Sequence, residues 1–334
     1  MTILERLERI GIRRSGTPRR GFRYRDARGR PIGAIERKRI GALRIPPAWR
    51  EVSIHPSPSA SVQAVGRDAA GRWQYLYHEK QVARRERVKL ERFRRLIRAL
   101  PTIRRAVTRD LKRPGLPRER VLAGIVRIIS TCFLRPGGEV YASENGTFGI
   151  ATLRPRHVRV RGEVLGFDFV GKSGRRHVRE VRDRAVARLV RELLRHPGEV
   201  FKFRNGDAAL TDVKSRHINE YLREQTGQRF TAKDFRTWAG TLLGACALAR
   251  AAPESRSTAA SRRRAISAAM REVSEHLGNT PAVCRASYVF PAVIRHFEEG
   301  RTLRRPLDRI DPRARQLERC ERELLVLLDT APRR

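Results

Sequence analysis

The apolar residues of this chain change their repeat once, near residue 81, and that change limits the folds open to it. Before it, residues 52–54, 62–65 and 73–77 alternate apolar and polar side chains, as half-buried strands do. Pro56-Ser57-Pro58 and Asp68-Ala69-Ala70-Gly71 supply turns between them, and Asp26-Ala27-Arg28-Gly29 reads as a hairpin turn between 22–25 and Pro31-Ile32. Two prolines in Ile45-Pro46-Pro47-Ala48-Trp49 forbid a helix interior there. After residue 81, Leu90, Phe93, Leu96, Ile97 and Leu100 fall on one helical face, and Val121, Leu122, Ile125, Ile129 and Cys132 form one buried face of the next helix. Strands are expected at 147–153, 157–161, 164–170 and 177–181. Helices are expected near 183, after 214, after 236, over 260–277, and over 313–328 with Leu317, Leu324, Leu325 and Leu328 on one side. The pattern predicts an α+β chain with a small N-terminal β-rich domain, residues 1–84. A larger, mainly α-helical domain with inserted β-hairpins follows, residues 85–334.

Lys and Arg number 74 against 35 Asp and Glu, a net charge of +39, and the excess runs along the whole chain. Such a surface suits a polyanion contacted over a wide area. The cationic segment 81–89, at the expected boundary, is a candidate lining for its path. A generally arginine-rich composition accounts for part of the excess. The longest apolar runs, such as 324–328, are too short to span a bilayer, and no signal-peptide pattern opens the chain, so no membrane role is expected. Cys132, Cys246, Cys284 and Cys320 are scattered without a CxxC pair, which suggests neither a zinc site nor a disulfide framework. A reducing cytoplasm, beside the nucleoid, is the expected location.

Four short motifs carry candidate chemistry. Arg135 follows a hydrophobic helix in Phe133-Leu134-Arg135-Pro136-Gly137-Gly138, where the glycines would let a phosphate come close; dipole compensation at a helix end is the plainer reading. Residues 166–173 formally match the phosphate-loop pattern GxxxxGK[ST]. Their alternation is that of a strand and another strand follows, so no nucleotide site is expected and Lys172 sits at a hairpin tip. Lys233 and Arg236 share a helical face in Lys233-Asp234-Phe235-Arg236, with Asp234 as a candidate cap. They repel unless an anion lies between them; a solvated basic face is the alternative. Gly278 stops a helix before Asn279-Thr280-Pro281, and Tyr288 comes nine residues after Asn279. Tyr75 and Tyr77 point to one side of a strand, suited to base or phosphate contact or to packing. Tyr141 is a candidate phosphate ligand, Tyr24 and Tyr221 read as structural, and His276 as solvated at a helix end.

One tyrosine served by two arginines, a lysine and an amide makes sense for phosphodiester transesterification on double-stranded DNA. A phenol has a pKa of about 10 and needs cationic surroundings to act as a nucleophile. Arginines neutralise the nonbridging oxygens of the transition state, and a lysine ammonium can protonate the leaving oxygen.

Taken in order, these residues resemble the type IB DNA topoisomerases, most closely the bacterial and poxvirus-like branch. The resemblance runs from Ile45-Pro46-Pro47-Ala48-Trp49, Ala64-Val65-Gly66-Arg67-Asp68 and Gln74-Tyr75-Leu76-Tyr77-His78 through residues 144–149 and Val170-Gly171-Lys172. It continues in Lys233-Asp234-Phe235-Arg236-Thr237 and residues 278–288. It implies that Tyr288 is the nucleophile forming a 3′-phosphotyrosyl link, that Arg135 and Arg236 clamp the scissile phosphate, and that Lys172 is the general acid. Arg67, Gln74, Tyr75, Tyr77, Tyr141 and Lys233 are then the candidate DNA contacts. No cofactor, metal or nucleotide is expected, and a monomeric clamp around the duplex is. Where poxvirus and eukaryotic members carry histidine before Thr-Pro, this chain has Asn279, which can donate a hydrogen bond but cannot carry charge. Two rivals stay open. A tyrosine recombinase shares this catalytic set, although recombinases usually have histidine where Lys233 stands. A non-catalytic basic DNA-binding protein would leave Tyr288 merely packed.

Overall fold

A computed structural model of the chain describes residues 1–206, 209–255, 258–308, 310–311 and 314–330. The chain forms two compact units, Met1–Glu91 and Arg92–Arg334. The first contains α1 (Ile3–Ile10), β1 (Ile12–Thr17), β2 (Gly21–Arg25), α2 (Ala34–Ala42), β3 (Arg50–Ile54), β4 (Val62–Arg67) and β5 (Trp73–Tyr77). Its strands make one antiparallel sheet in the order β2-β1-β3-β4-β5. The turn at Asp26 forms as expected. Gly29 N–H donates to Asp26 O at 3.0 Å, and Arg25 bridges to Pro31. Neither α1 nor α2 was legible, yet they explain why β4 is buried along nearly its whole length. Ile40 packs with Ile12, Val52, Ile54 and Ala64, whereas Leu7 packs with Val62 and Val65. Neighbouring residues Ala64 and Val65 thus serve two clusters, as the alternation of a strand requires.

The helix α3 (Glu79–Asp110) begins in the first unit and supplies its remaining residues to the second. The cationic segment 81–89 is therefore helical. Then come α4 (Arg118–Cys132), α5 (Glu139–Asn145), β6 (Val158–Arg161), β7 (Val164–Gly171), β8 (Arg175–Arg182) and α6 (Arg184–Leu193). The chain continues with β9 (Lys202–Arg204), β10 (Leu210–Asp212), α7 (Ser215–Thr226), α8 (Ala232–Ser255), α9 (Ala259–Leu277), the single turn α10 (Pro281–Val283), α11 (Pro291–Glu298) and α12 (Arg315–Asp329). The strands of this unit form an antiparallel sheet β6-β7-β8 and a small pair β9-β10.

Three expectations need correction. First, α4 is buried on nearly every side and not along one face, because α6, α7, α8, β8 and β9 surround it. Second, residues 147–153 form no strand. Ile150 and Ala151 spend their N–H groups on the carbonyls of Arg135 and Pro136, both at 2.9 Å, and close a 3-10 turn at Ile150–Thr152. Those bonds pin the segment that carries Arg135. Third, α8 opens at Ala232, so Asp234 lies in its first turn and is not the cap. Its carboxylate accepts from Thr231 N–H at 2.7 Å and pairs with Arg92 at 2.7 Å.

Elsewhere the buried Glu321 of α12 accepts from Arg104 and from the Trp238 indole, which fastens α12 to α3 and α8. Tyr221 donates to the buried Asp110 at 2.9 Å, the structural role expected of it. The four cysteines are buried and free. Among the described residues no helix is long and apolar enough to cross a membrane.

Candidate active site

Arg236 stands on the first turns of α8 and is 2 % exposed. Its two terminal nitrogens donate to carbonyls that helix ends leave without partners: Phe133 O beyond α4, and Leu277 O at the end of α9, the latter at 2.7 Å. Phe133 itself takes a left-handed conformation (φ 55°), unusual for a bulky residue and found mostly where the surroundings enforce it. Burial first, and then the nearby Arg135, lower the Arg236 pKa to about 10, which still leaves the guanidinium charged at neutral pH. A guanidinium has five N–H donors. Nε of Arg236 is buried without an acceptor, and the guanidinium also hydrogen-bonds the Tyr288 side chain.

Arg135 and Asn279 meet directly, the guanidinium donating to the side-chain oxygen of Asn279. Asn279 is held from three sides. Its N–H donates to Ser274 O at 3.1 Å, its carbonyl accepts from Arg175, and its side-chain oxygen is occupied by Arg135. Only Nδ2 is left, buried and with no acceptor. Leaving such a donor unpaired costs about 1–3 kcal/mol, so the site favours an acceptor arriving there. Arg236 Nε and Asn279 Nδ2 are thus two unsatisfied donors within one cationic cluster.

Tyr288 ends a single π turn, Cys284–Tyr288, closed by Val289 N–H donating to Cys284 O at 3.0 Å. Thr280 caps the preceding turn α10, and Pro281 starts it. The ring is half-buried against α8. Thr241 donates to Tyr288 O at 2.8 Å, and a Cβ on Gly240 would lie 2.8 Å from the Tyr288 Cβ, so only glycine lets the tyrosine backbone come so near. The Arg236 guanidinium carbon is 5.1 Å from the ring centroid. Burial alone would raise the phenol pKa. The charge of Arg236 and a hydrogen bond with its guanidinium, followed by the charges of Arg135 and Lys233, outweigh it and hold the phenol below its ordinary value. Lys233 is exposed while Arg236 is buried, yet both act on Tyr288.

Lys172 is exposed in the tight turn Lys172–Gly174 that joins β7 to β8, where Ser173 (φ 64°) and Gly174 (φ 70°) both reverse the chain. The structure therefore brings Arg135, Arg236, Asn279, Lys233 and Tyr288 together and leaves Lys172 on a hairpin tip. The phosphate-loop pattern at 166–173 is strand β7 and this turn. His276 is not solvated as expected. It is half-buried with its ring edge-on to Phe133 at 6.5 Å, and burial lowers its pKa.

Among the other candidates, Tyr75 is exposed, whereas Tyr77 is partly packed against Leu7, Val62 and Val65 with the Arg85 guanidinium 3.8 Å above its ring. Arg67 pairs with Glu51 at 2.9 Å and covers Trp73, while Gln74 donates to Asp68 at 2.9 Å. These partners are intramolecular, so contact with DNA would require an exchange. The side chain of Tyr141, in α5, lies outside the described residues. Sequence reasoning missed Arg175, Gly240 and Thr241. The alternation Arg175, His177, Arg179 on one strand face was a signal for the first; nothing local distinguishes the other two. Among the described residues no three His, Cys, Asp or Glu side chains are grouped to hold a metal ion.

Residues 78–308 match the family model for the catalytic core of eukaryotic DNA topoisomerase I, and residues 21–68 match that for the N-terminal domain of bacterial DNA topoisomerase IB. The DNA topoisomerase 1B of Acanthamoeba polyphaga mimivirus is 33% identical over 261 residues, covering 75% of this chain and 77% of that protein. The DNA topoisomerase 1B of Vaccinia virus (strain Copenhagen) is 25% identical over 234 residues, covering 69% and 70%. The DNA topoisomerase 1 of Drosophila melanogaster is 30% identical over 161 residues, which is 46% of this chain and 16% of that protein. With the family model spanning well over half of its length and a relative of this similarity, the chain belongs to the type IB DNA topoisomerases.

Proposed function

We propose that this topoisomerase relaxes supercoiled DNA by breaking and remaking one strand through Tyr288. The phenol gives its proton to solvent and its oxygen bonds to phosphorus as the bond from phosphorus to the 5′-oxygen breaks. That oxygen takes a proton from the Lys172 ammonium, and the strand is left as a 3′-phosphotyrosyl ester. Arg135, Arg236 and Asn279 donate to the nonbridging oxygens, whose charge grows at the pentavalent stage. The duplex swivels, and the 5′-hydroxyl attacks the ester to reseal the strand. The ester retains the energy of the broken bond, so no nucleotide is needed for religation. The protein acts as a monomer that holds the duplex with both of its units.

One observation supports this reading above the others: Arg236, fixed at two helix ends, spends only part of its donor capacity there and depresses the pKa of Tyr288 beside it. The test is trapping with denaturant after mixing with supercoiled plasmid. Wild-type protein should leave a covalent protein–DNA adduct. Tyr288→Phe should leave none while binding DNA nearly as well, since only a hydroxyl is lost. Adduct formation by Tyr288→Phe would remove Tyr288 from the role, and no adduct from the wild type would leave a basic DNA-binding protein.

A further inference from the structure

His177 of β8 is a buried histidine, 5 % exposed, that the proposed reaction does not use. Its ring stacks on Phe169, its cross-strand partner, with centroids 5.3 Å apart and planes at 18°. Two glycines close over it. A Cβ on Gly171, the residue before Lys172, would lie 2.6 Å from the imidazole Cδ2. A Cβ on Gly278, the residue before Asn279, would overlap Cε1, and Gly278 also needs its left-handed conformation (φ 60°) to end α9. One flat ring therefore separates the two backbones that lead into Lys172 and Asn279.

The residues two before and two after it on β8 share its face and grip the same helix end. Arg175 donates to Asn279 O, while Arg179 donates to Glu275 O at 2.6 Å and to His276 O at 2.9 Å. Cations suit these carbonyls, which α9 leaves without partners. The two arginines tie β8 to the end of α9, and the ring between them sets the spacing. Burial, reinforced by Arg135, Arg179, Arg236 and Arg175, lowers the His177 pKa to about 4, so the ring packs there uncharged at neutral pH.

We propose that His177 is a positioning residue: its imidazole, wedged between Gly171 and Gly278, holds the Lys172 turn in register with Asn279, so that both address one phosphodiester. The inference rests on the roles of Lys172 and Asn279 given above. Its action is mechanical, and loss of the ring lets the turn drift. A drift on the order of 1 Å in such a site costs as much as about 100-fold in rate.

The experiment measures single-turnover cleavage of a duplex with an ordinary 5′-bridging oxygen and of one with sulfur in its place, together with DNA affinity and thermal unfolding. His177→Ala should cleave the oxygen duplex roughly 10- to 100-fold more slowly with its affinity unchanged. It should recover most of that loss on the sulfur duplex, because a thiolate departs without the proton that a displaced Lys172 no longer delivers. Gly171→Ala keeps the ring but pushes the turn away from it, and should give the same sulfur-rescued defect even if His177→Ala proves too unstable to assay. Wild-type rates in either variant, or equal losses on both duplexes, would overturn the positioning role. No adduct from the wild type overturns the transesterification reading and this inference with it. An active wild type beside an undisturbed His177→Ala overturns this inference alone.

Discussion

Arg236 and Lys172 are both cations, and their surroundings suit them to opposite tasks. Arg236 is buried, anchored at both ends of its guanidinium and unable to follow a moving atom. Lys172 is exposed on a hairpin tip, with a compact ammonium on a flexible stem. A fixed fork stabilises charge that develops in one place; a mobile ammonium can deliver a proton to a departing oxygen. Arg175 and Arg176 flank the turn but are engaged elsewhere, on Asn279 O and, at 2.6 Å, on Asp168. The difference is measurable. A 5′-bridging sulfur should restore cleavage by Lys172→Ala, since its leaving group needs no proton. Arg236→Ala should stay defective, because charge still gathers on the nonbridging oxygens. Equal rescue of the two variants, or none for Lys172→Ala, would take the lysine out of the acid role. Asn279 shows how a neutral side chain could serve in the proposed reaction: Arg135 takes its oxygen, which orients the amide and leaves Nδ2 as the donor for an acceptor.

At the scale of elements, the placement of the proposed nucleophile depends on how closely α8 meets the π turn that carries it. A π turn displaces its last residue relative to an α-helix and is frequently found at functional sites. Gly240 permits the approach, with the Tyr288 Cβ and carbonyl 2.8 and 3.0 Å from where its own Cβ would be. Gly240→Ala would gain helix propensity of up to about 1 kcal/mol and lose about 1–3 kcal/mol to overpacking. The expected outcome is a slower approach to the covalent adduct with a slightly lower melting temperature. An unchanged cleavage rate would mean that the turn can move without carrying the hydroxyl out of line. No local pattern announces Gly240, which looks like any helix glycine until Tyr288, 48 positions later, packs on it. Elements that were legible, among them β3 to β8, α3, α9 and α12, carry their own alternation or periodicity. By contrast α2 has only Ile35, Ile40 and scattered small residues to mark a face, and residues 147–153 look like a strand until Arg135 and Pro136 take their hydrogen bonds. The candidate residues that the structure brings together were readable because each sits in a short motif. The seam of Arg175, His177 and Arg179 shows in the sequence only as an alternation, and what it grips does not, because its partners are some 100 residues away.

Over the whole molecule the charge admits a simple bound. If all 35 acidic side chains were paired with cations, 39 cations would still be uncompensated. Several pairs are in fact internal, among them Arg104 with Glu321, Arg120 with Glu192 and Arg92 with Asp234, each within 2.7 Å. They stabilise the helical unit and are not available to a substrate. The uncompensated charge repels itself in the free protein, and a polyanion relieves that repulsion by exchanging its condensed counterions for lysine and arginine. Noncovalent affinity for duplex DNA, measured with Tyr288→Phe to prevent cleavage, should therefore fall steeply with salt. The expected slope of log affinity on log salt is about −0.9 per phosphate neutralised, and a protein holding the duplex with both units should show the sum of many such contacts. Removing the exposed Lys233 should lower the slope by about one if it touches a phosphate. The cleavage rate at saturating DNA should respond far less to salt, because Arg236 and Asn279 are buried and screened little by ions in solution. A flat dependence of affinity between low and physiological salt would contradict the two-unit grip, whereas a steep one with Lys233→Ala unchanged would assign that lysine to Tyr288 alone.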